Sequence, residues 1–205
     1  MKENLFLNIA TSMARSRANG PGVRAVIWVQ GCTIGCPGCY NNFTHAHTSN
    51  KLSSPSKIVE WINSIDDIEG ITFSGGEPFE QALAVSSIIE KVNSERREPL
   101  TIFIFTGFDF ETLRKSESAA VKRLLSMTDM LSSGPYVSSL REEQLLWRGS
   151  SNQKLIYLTD TYSSSEEEKW IRNSPIEELV MSESGIMRTG FRAKKGDLYN
   201  SLVNI

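Results

Sequence analysis

The chain has 205 residues, a formal charge of −2 and 40% hydrophobic residues. That is enough for one domain with a sizeable core, with no positive surplus to hold nucleic acid or an anionic membrane surface. No apolar run approaches a membrane span, Met1-Lys2-Glu3-Asn4-Leu5 lacks a signal-peptide pattern, and three cysteines without framework spacing argue against a disulfide-stapled secreted protein and for a reducing cytoplasm.

Residues 4–10 read as a short first strand. A polar segment follows and ends in Asn19-Gly20-Pro21-Gly22, a turn. The apolar run Ala25-Val26-Ile27-Trp28-Val29 marks a buried strand over 24–29. Directly after it, between Gln30 and Asn41, come all three cysteines, Cys32, Cys36 and Cys39, spaced C-x3-C-x2-C among Gly31, Gly35, Pro37 and Gly38. Residues 42–52 are polar and irregular and hold both histidines, His45 and His47.

Ser53-Ser54-Pro55 opens a helix, with Ser as N-cap, Pro in the first turn and Ile58, Val59, Trp61, Ile62 and Ile65 on its apolar face. Ile71-Thr72-Phe73 is a short strand running into Ser74-Gly75-Gly76-Glu77-Pro78, and a second helix spans about 79–94. The clearest strand is 100–105, which exits into Thr106-Gly107-Phe108. Residues 110–127 are mostly helical, 130–131 and 155–158 read as strands, and Ser163 before Glu166-Glu167-Glu168 is a helix start. The segments around 179–181 and 186–205 carry no clear period. Strand, loop and helix alternate, which implies an α/β fold with a mainly parallel sheet in a single domain over 1–205. The chemistry-bearing loops follow strands and therefore gather at one edge of that sheet.

Three thiolates on one short loop can converge on a single metal centre. A structural zinc site takes four ligands, and His45 or His47 would have to complete it. A four-iron cluster held by three cysteines keeps one iron open, a defect in an electron carrier and an advantage where a substrate must bind iron. Buried cysteines acting as small hydrophobes fit the Gly- and Pro-rich loop poorly. The spacing resembles the core motif of the radical S-adenosylmethionine (SAM) superfamily. In that light Gly75-Gly76-Glu77 is similar to the superfamily's turn for the methionine amino group, with Ser74 adding a hydroxyl.

The resemblance narrows at Gly20-Pro21-Gly22-Val23-Arg24, Phe105-Thr106-Gly107-Phe108, Ser133-Gly134-Pro135-Tyr136 and Arg148-Gly149-Ser150-Ser151-Asn152-Gln153. These segments are similar to those of anaerobic ribonucleotide reductase-activating proteins. The resemblance implies an incomplete (β/α)6-type radical-SAM barrel. It also implies a [4Fe-4S] cluster on Cys32, Cys36 and Cys39, and SAM contacts from Gly38, Tyr40, Ser74, Gly75, Gly76, Glu77, Thr106, Arg148 and Asn152. The implied reaction is reductive cleavage of SAM to a 5′-deoxyadenosyl radical that takes hydrogen from a glycine of a glycyl radical enzyme, the anaerobic ribonucleotide reductase. A donor such as flavodoxin would reduce the cluster. No nucleic-acid or membrane partner is expected.

The chain departs from the pattern at Gly38, where the superfamily often has an aromatic residue, and at Ser133, where the family often has Asp. Thr189-Gly190-Phe191 looks familial but is a weak signal, and Arg192-Ala193-Lys194-Lys195-Gly196 is a basic stretch best read as solvated surface. A radical-SAM enzyme acting on a small molecule, such as one resembling carboxy-deazaguanine synthase, or on a peptide would share the cluster. A non-enzymatic metal-binding or electron-transfer module would bind metal without cleaving SAM.

Overall fold

The computed structural model describes residues 5–142, 145–174, 177–182 and 185–190. Seven strands form one sheet: β1 (Leu7–Ser16), β2 (Arg24–Val29), β3 (Lys51–Ser53), β4 (Gly70–Gly75), β5 (Thr101–Thr106), β6 (Met130–Ser133) and β7 (Lys154–Tyr157). Their order is β3-β1-β2-β4-β5-β6-β7, so the sheet is open, with β3 and β7 at its edges. The central strands β2, β4, β5 and β6 run parallel. The outer strands β1, β3 and β7 pair antiparallel.

The parallel pairs are joined by helical crossovers, as parallel strands require. These are α1 (Pro55–Asn63), α2 (Ala82–Glu95), and the pair α3 (Phe110–Arg114) and α4 (Ala119–Ser126). The Pro55 start of α1 follows from its ring, which fits the first helical position. The helical stretch expected over 110–127 is broken because Ser118 caps α4 afresh, its hydroxyl accepting from the Val121 N–H. The polar residues after Ala10 extend β1 to Ser16 rather than forming a loop. Met13 and Ser16 point inward there, and β2 pairs along that length. The irregular stretch 42–52 gains strand β3 by pairing with β1.

The two faces of the sheet are filled differently. Ala25, Ile27, Val29, Ile71, Phe73, Ile102 and Ile104 pack against α1, α2 and α4 in the main core. Alternate residues face the other way, as the period of a strand dictates. On that second face Phe103 and Met130 meet Trp147 and Trp170, the latter on α5 (Glu167–Asn173). At the other end Met13, Val26 and Trp28 meet Val180 of a hairpin, β8 (Glu177–Ser182) and β9 (Gly185–Gly190). The hairpin is antiparallel and separate from the main sheet. Among the described residues, no helix is long and apolar enough to cross a membrane.

One buried side chain ties the starts of the strands together. Arg24 is fully buried. Its guanidinium donates to Pro21 O at 3.0 Å, Thr72 Oγ1 at 2.8 Å, Ile71 O at 2.9 Å, and Thr101 Oγ1 and O at 2.9 and 2.8 Å. A Cβ at Gly70 would stand 2.3 Å from Arg24 Nη2, and one at Gly20 would stand 2.7 Å from its Cδ. The glycines flanking this arginine make room for it.

Candidate functional site

The loops that leave β2, β4 and β5 meet at one edge of the sheet around a cavity of about 560 Å³. That is the size of a small-molecule site. Cys32, Cys36 and Cys39 line it, and all three are free thiols, each partly exposed. Tyr40, Ser74, Gly75, Gly76, Glu77 and Thr106 line it as well.

The cysteine loop is held from two sides. Backbone links run from Gly31 N–H to Thr44 O at 2.8 Å and from Cys32 N–H to His45 O at 3.1 Å. Glu80, just beyond the Gly-Gly-Glu turn, accepts from the Thr33 N–H at 2.7 Å and its hydroxyl at 2.6 Å. Its other oxygen meets His47 Nε2 at 2.7 Å. Partial burial pushes the Glu80 carboxyl up, but its bonds to Thr33 and His47 outweigh that and hold it below the ordinary range.

Gly76 is demanded by the neighbouring chain. A Cβ there would stand 2.1 Å from Gly31 O, and the Glu77 N–H donates to that oxygen at 2.8 Å. A Cβ at Gly75 would stand 2.7 Å from Val29 N, so Gly75 is pressed by β2 and Gly76 by the cysteine loop. Glu77 is buried, and desolvation pushes its carboxyl up to about 7 against the pull of its hydrogen bonds. Those come from the Phe79 N–H at 3.0 Å, the Thr106 hydroxyl at 3.0 Å and the Gly107 N–H at 2.9 Å. The carboxylate thus staples the exit of β4 to the exit of β5.

The three thiols fit a cluster. Burial raises the pKa of Cys32 and Cys39, and Cys36 and Cys32 push Cys39 further up, so thiolates gathered here need a cation to hold them. The Asn41 N–H reaches Cys39 Sγ at 3.4 Å, the kind of donor that tunes cluster sulfur. Among the described residues, no three His, Cys, Asp or Glu side chains close around a single ion. Of the two histidines considered as zinc ligands, His47 is bonded to Glu80 while His45 lines the cavity.

Three expected site residues stand outside the lining. Gly38 sits at a positive φ of 74° near Tyr136. The Arg148 guanidinium turns to Glu167 at 3.4 Å. The Asn152 amide donates to Pro135 O at 2.8 Å. Ser133 donates its hydroxyl to Phe108 O at 2.9 Å, a backbone-fixing role in place of a carboxylate.

The cavity also draws on residues that the sequence reading does not name as site residues, although Tyr136, Thr189 and Gly190 stand in segments that look familial. Trp28 lines it because strand alternation turns it away from Ile27. Tyr136 lines it and meets Tyr40 edge-on at 5.3 Å, over Gly149, where a Cβ would stand 2.9 Å from the Tyr136 ring. Glu177, Arg188, Thr189 and Gly190 of the hairpin line it too, and Asn19 joins them. No period in the sequence announced the hairpin. Phe191 and the basic stretch 192–196 lie outside the described residues.

Comparison with known proteins adds the following. Residues 18–156 match the model of the 4Fe-4S single cluster domain. The chain is 34% identical to an anaerobic ribonucleoside-triphosphate reductase-activating protein of Escherichia coli (strain K12) over 146 residues, 68% of this chain and 92% of that one. It is 32% identical to the protein of the same name from Enterobacteria phage T4, over 69% of this chain and 88% of that one. For Haemophilus influenzae the figures are 32%, 66% and 88%. A crystal structure of QueE from Escherichia coli overlaps with a TM-score of 0.37 at 14% identity, covering 64% of this chain and 74% of that one, and that likeness carries no argument.

Proposed function

The chain belongs to the anaerobic ribonucleoside-triphosphate reductase-activating proteins and carries their 4Fe-4S single cluster domain; on that premise we propose a site-by-site account of how it acts as a radical-SAM activase. The observation that carries the account is that three free cysteines share one cavity with the Gly-Gly-Glu turn. A [4Fe-4S] cluster held by these cysteines would pass one electron from an external reductant to SAM, giving methionine and a 5′-deoxyadenosyl radical that would take hydrogen from a glycine of the anaerobic ribonucleotide reductase.

Cys32, Cys36 and Cys39 hold the cluster. Ser74, Gly75 and Gly76 shape the turn beside it, where the methionine end of SAM is received. Glu77 and Thr106 fix the spacing between the turn and the exit of β5, and the buried carboxylate adds negative potential next to an ammonium. Tyr40, backed by Tyr136, walls the cavity against water. Gly38 gives the cysteine loop its turn. Arg148 and Asn152 brace the segment behind Tyr136 rather than touching the cofactor.

We read the open sheet, with its four parallel strands at the centre, as an incomplete form of the (β/α)6-type barrel, within a single domain over 1–205. A flavodoxin-like donor in a reducing cytoplasm suits the cluster. The charge of −2 gives no ground for a nucleic-acid or membrane partner. The test is anaerobic reconstitution followed by assay for 5′-deoxyadenosine. Wild-type protein should bind about four irons, one cluster's worth, and cleave SAM. Cys32→Ala, Cys36→Ala and Cys39→Ala should each abolish cleavage, and full activity in any of them overturns the assignment.

A further inference from the structure

The cavity extends past the part of the chain that matches the family model. That match ends at residue 156, yet Glu177, Arg188 and Thr189 of the β8–β9 hairpin line the same cavity as the three cysteines. The hairpin is firmly seated. The Glu178 carboxylate accepts from the Ser16 hydroxyl, from the Arg17 N–H at 2.9 Å and from the Ala18 N–H at 3.1 Å. The Asn19 amide donates to Thr189 Oγ1 at 2.9 Å, with both residues buried. Val180 packs on Met13, Val26 and Trp28.

The Glu178 anchors lie toward the end of the sheet away from the metal loop, while Val180 reaches back to Trp28, one residue before the last of β2. Ser16 pairs with Arg24, the first residue of β2, whereas the cysteine loop leaves after Val29, its last. The five steps between them span roughly 16 Å at the rise of a strand.

The hairpin end has the chemistry to hold peptide. Arg188 is paired with Glu177 through Nε and Nη2, which fixes the guanidinium plane and uses two of its five N–H donors. Beside it Thr189 lines the cavity, while both Asn19 amide hydrogens are taken up by Ser16 Oγ at 2.8 Å and Thr189 Oγ1 at 2.9 Å, which leaves the remaining guanidinium N–H groups as the donors a peptide carbonyl would meet. The parts that serve cluster and SAM lie within the shared domain, and the hairpin lies outside it. We propose that the β8–β9 hairpin forms the peptide-receiving end of the cavity, with Arg188 positioning the glycine-bearing segment of the partner reductase. This inference rests on the activase reading above.

The test uses full-length protein with its cluster reconstituted, the intact cognate reductase and SAM. Arg188 is partly exposed, with 37% of its side chain accessible, so Arg188→Ala leaves the hairpin anchors in place. The reductase concentration giving half-maximal glycyl radical should rise about tenfold, the worth of one charge-assisted hydrogen bond. Equilibrium SAM binding should stay within about twofold, and Arg188→Lys should recover part of the loss. An unchanged reductase dependence overturns the proposal. So does an equal loss of SAM affinity, which would place Arg188 at the cofactor. A wild-type protein that cleaves SAM but leaves no radical on the reductase refutes the activase reading itself, and this inference with it. A working wild type matched by Arg188→Ala refutes the inference alone.

Discussion

Glu77 Oε1 accepts the Thr106 hydroxyl at 3.0 Å, so a buried carboxylate joins the ends of two neighbouring parallel strands next to the cysteine loop. Its carboxyl is raised from 4.5 to about 7, chiefly by desolvation. Between those values the folded protein keeps a proton that the unfolded chain has lost. The contribution of Glu77 to stability therefore falls as pH rises through that window and is level above it. In the metal-free protein, the stability difference between wild type and Glu77→Gln should shift by roughly 3 kcal/mol across the window, to the disadvantage of wild type. Denaturant unfolding at a series of pH values checks this. A difference that does not vary with pH would show that Glu77 is ionised throughout.

Gly76→Val should damage the metal loop as well as the turn. Even its Cβ would collide with Gly31 O, one residue before Cys32. We expect a loss of about 1–3 kcal/mol in the metal-free protein, the usual range for overpacking, together with reduced iron loading. Unchanged iron content in a variant of wild-type stability would contradict the contact. Gly107→Ala is the contrast, because its Cβ presses only on the Ile34 Cδ1 tip.

Glu80→Ala removes the acceptor for both Thr33 donors and the partner of His47. The three cysteines remain, so the cluster should still assemble, but on a looser loop. Iron loss to a chelator should quicken severalfold, while global stability falls by about 1 kcal/mol, as for a partly exposed hydrogen-bond set. Equal chelation rates would mean the latch does not restrain the loop.

Arg24→Met fills much of the same volume but leaves Pro21 O, Ile71 O and Thr101 O without their donor. A buried carbonyl left without a donor costs roughly 1–3 kcal/mol, and three are affected at once. Urea unfolding should therefore show a large drop in midpoint. A loss under about 1 kcal/mol, the worth of a single ordinary hydrogen bond, would show that the network is replaceable.

Much of this architecture was legible in the sequence because it rests on local pattern. Strand β2 is an unbroken apolar run, and the three cysteines and Gly-Gly-Glu each follow a strand, so the edge where they meet could be anticipated. The helix over 79–94 begins instead with a 3-10 turn at Pro78–Gln81, and only from Ala82 does α2 run regularly. The extension of β1, the small strand β3 and the hairpin were not legible, since each exists through pairing with or packing on distant chain. Glu178 meets Arg17 across 161 residues, a relation no window of sequence contains. Arg148 and Asn152 sit in a family-like segment, and segment likeness does not say which way a side chain turns; here they turn to Glu167 and Pro135 O.

The central claim is that the radical made at this site ends on a glycine of a partner reductase. Electron paramagnetic resonance of the anaerobic ribonucleotide reductase, after incubation with the reconstituted protein, SAM and a reductant, tests it most directly. The account predicts a glycine-centred doublet whose splitting collapses when the glycine α-hydrogen is replaced by deuterium, and no such signal with Cys36→Ala. SAM cleavage without any radical on the reductase, accompanied by efficient turnover of a small metabolite, would contradict it.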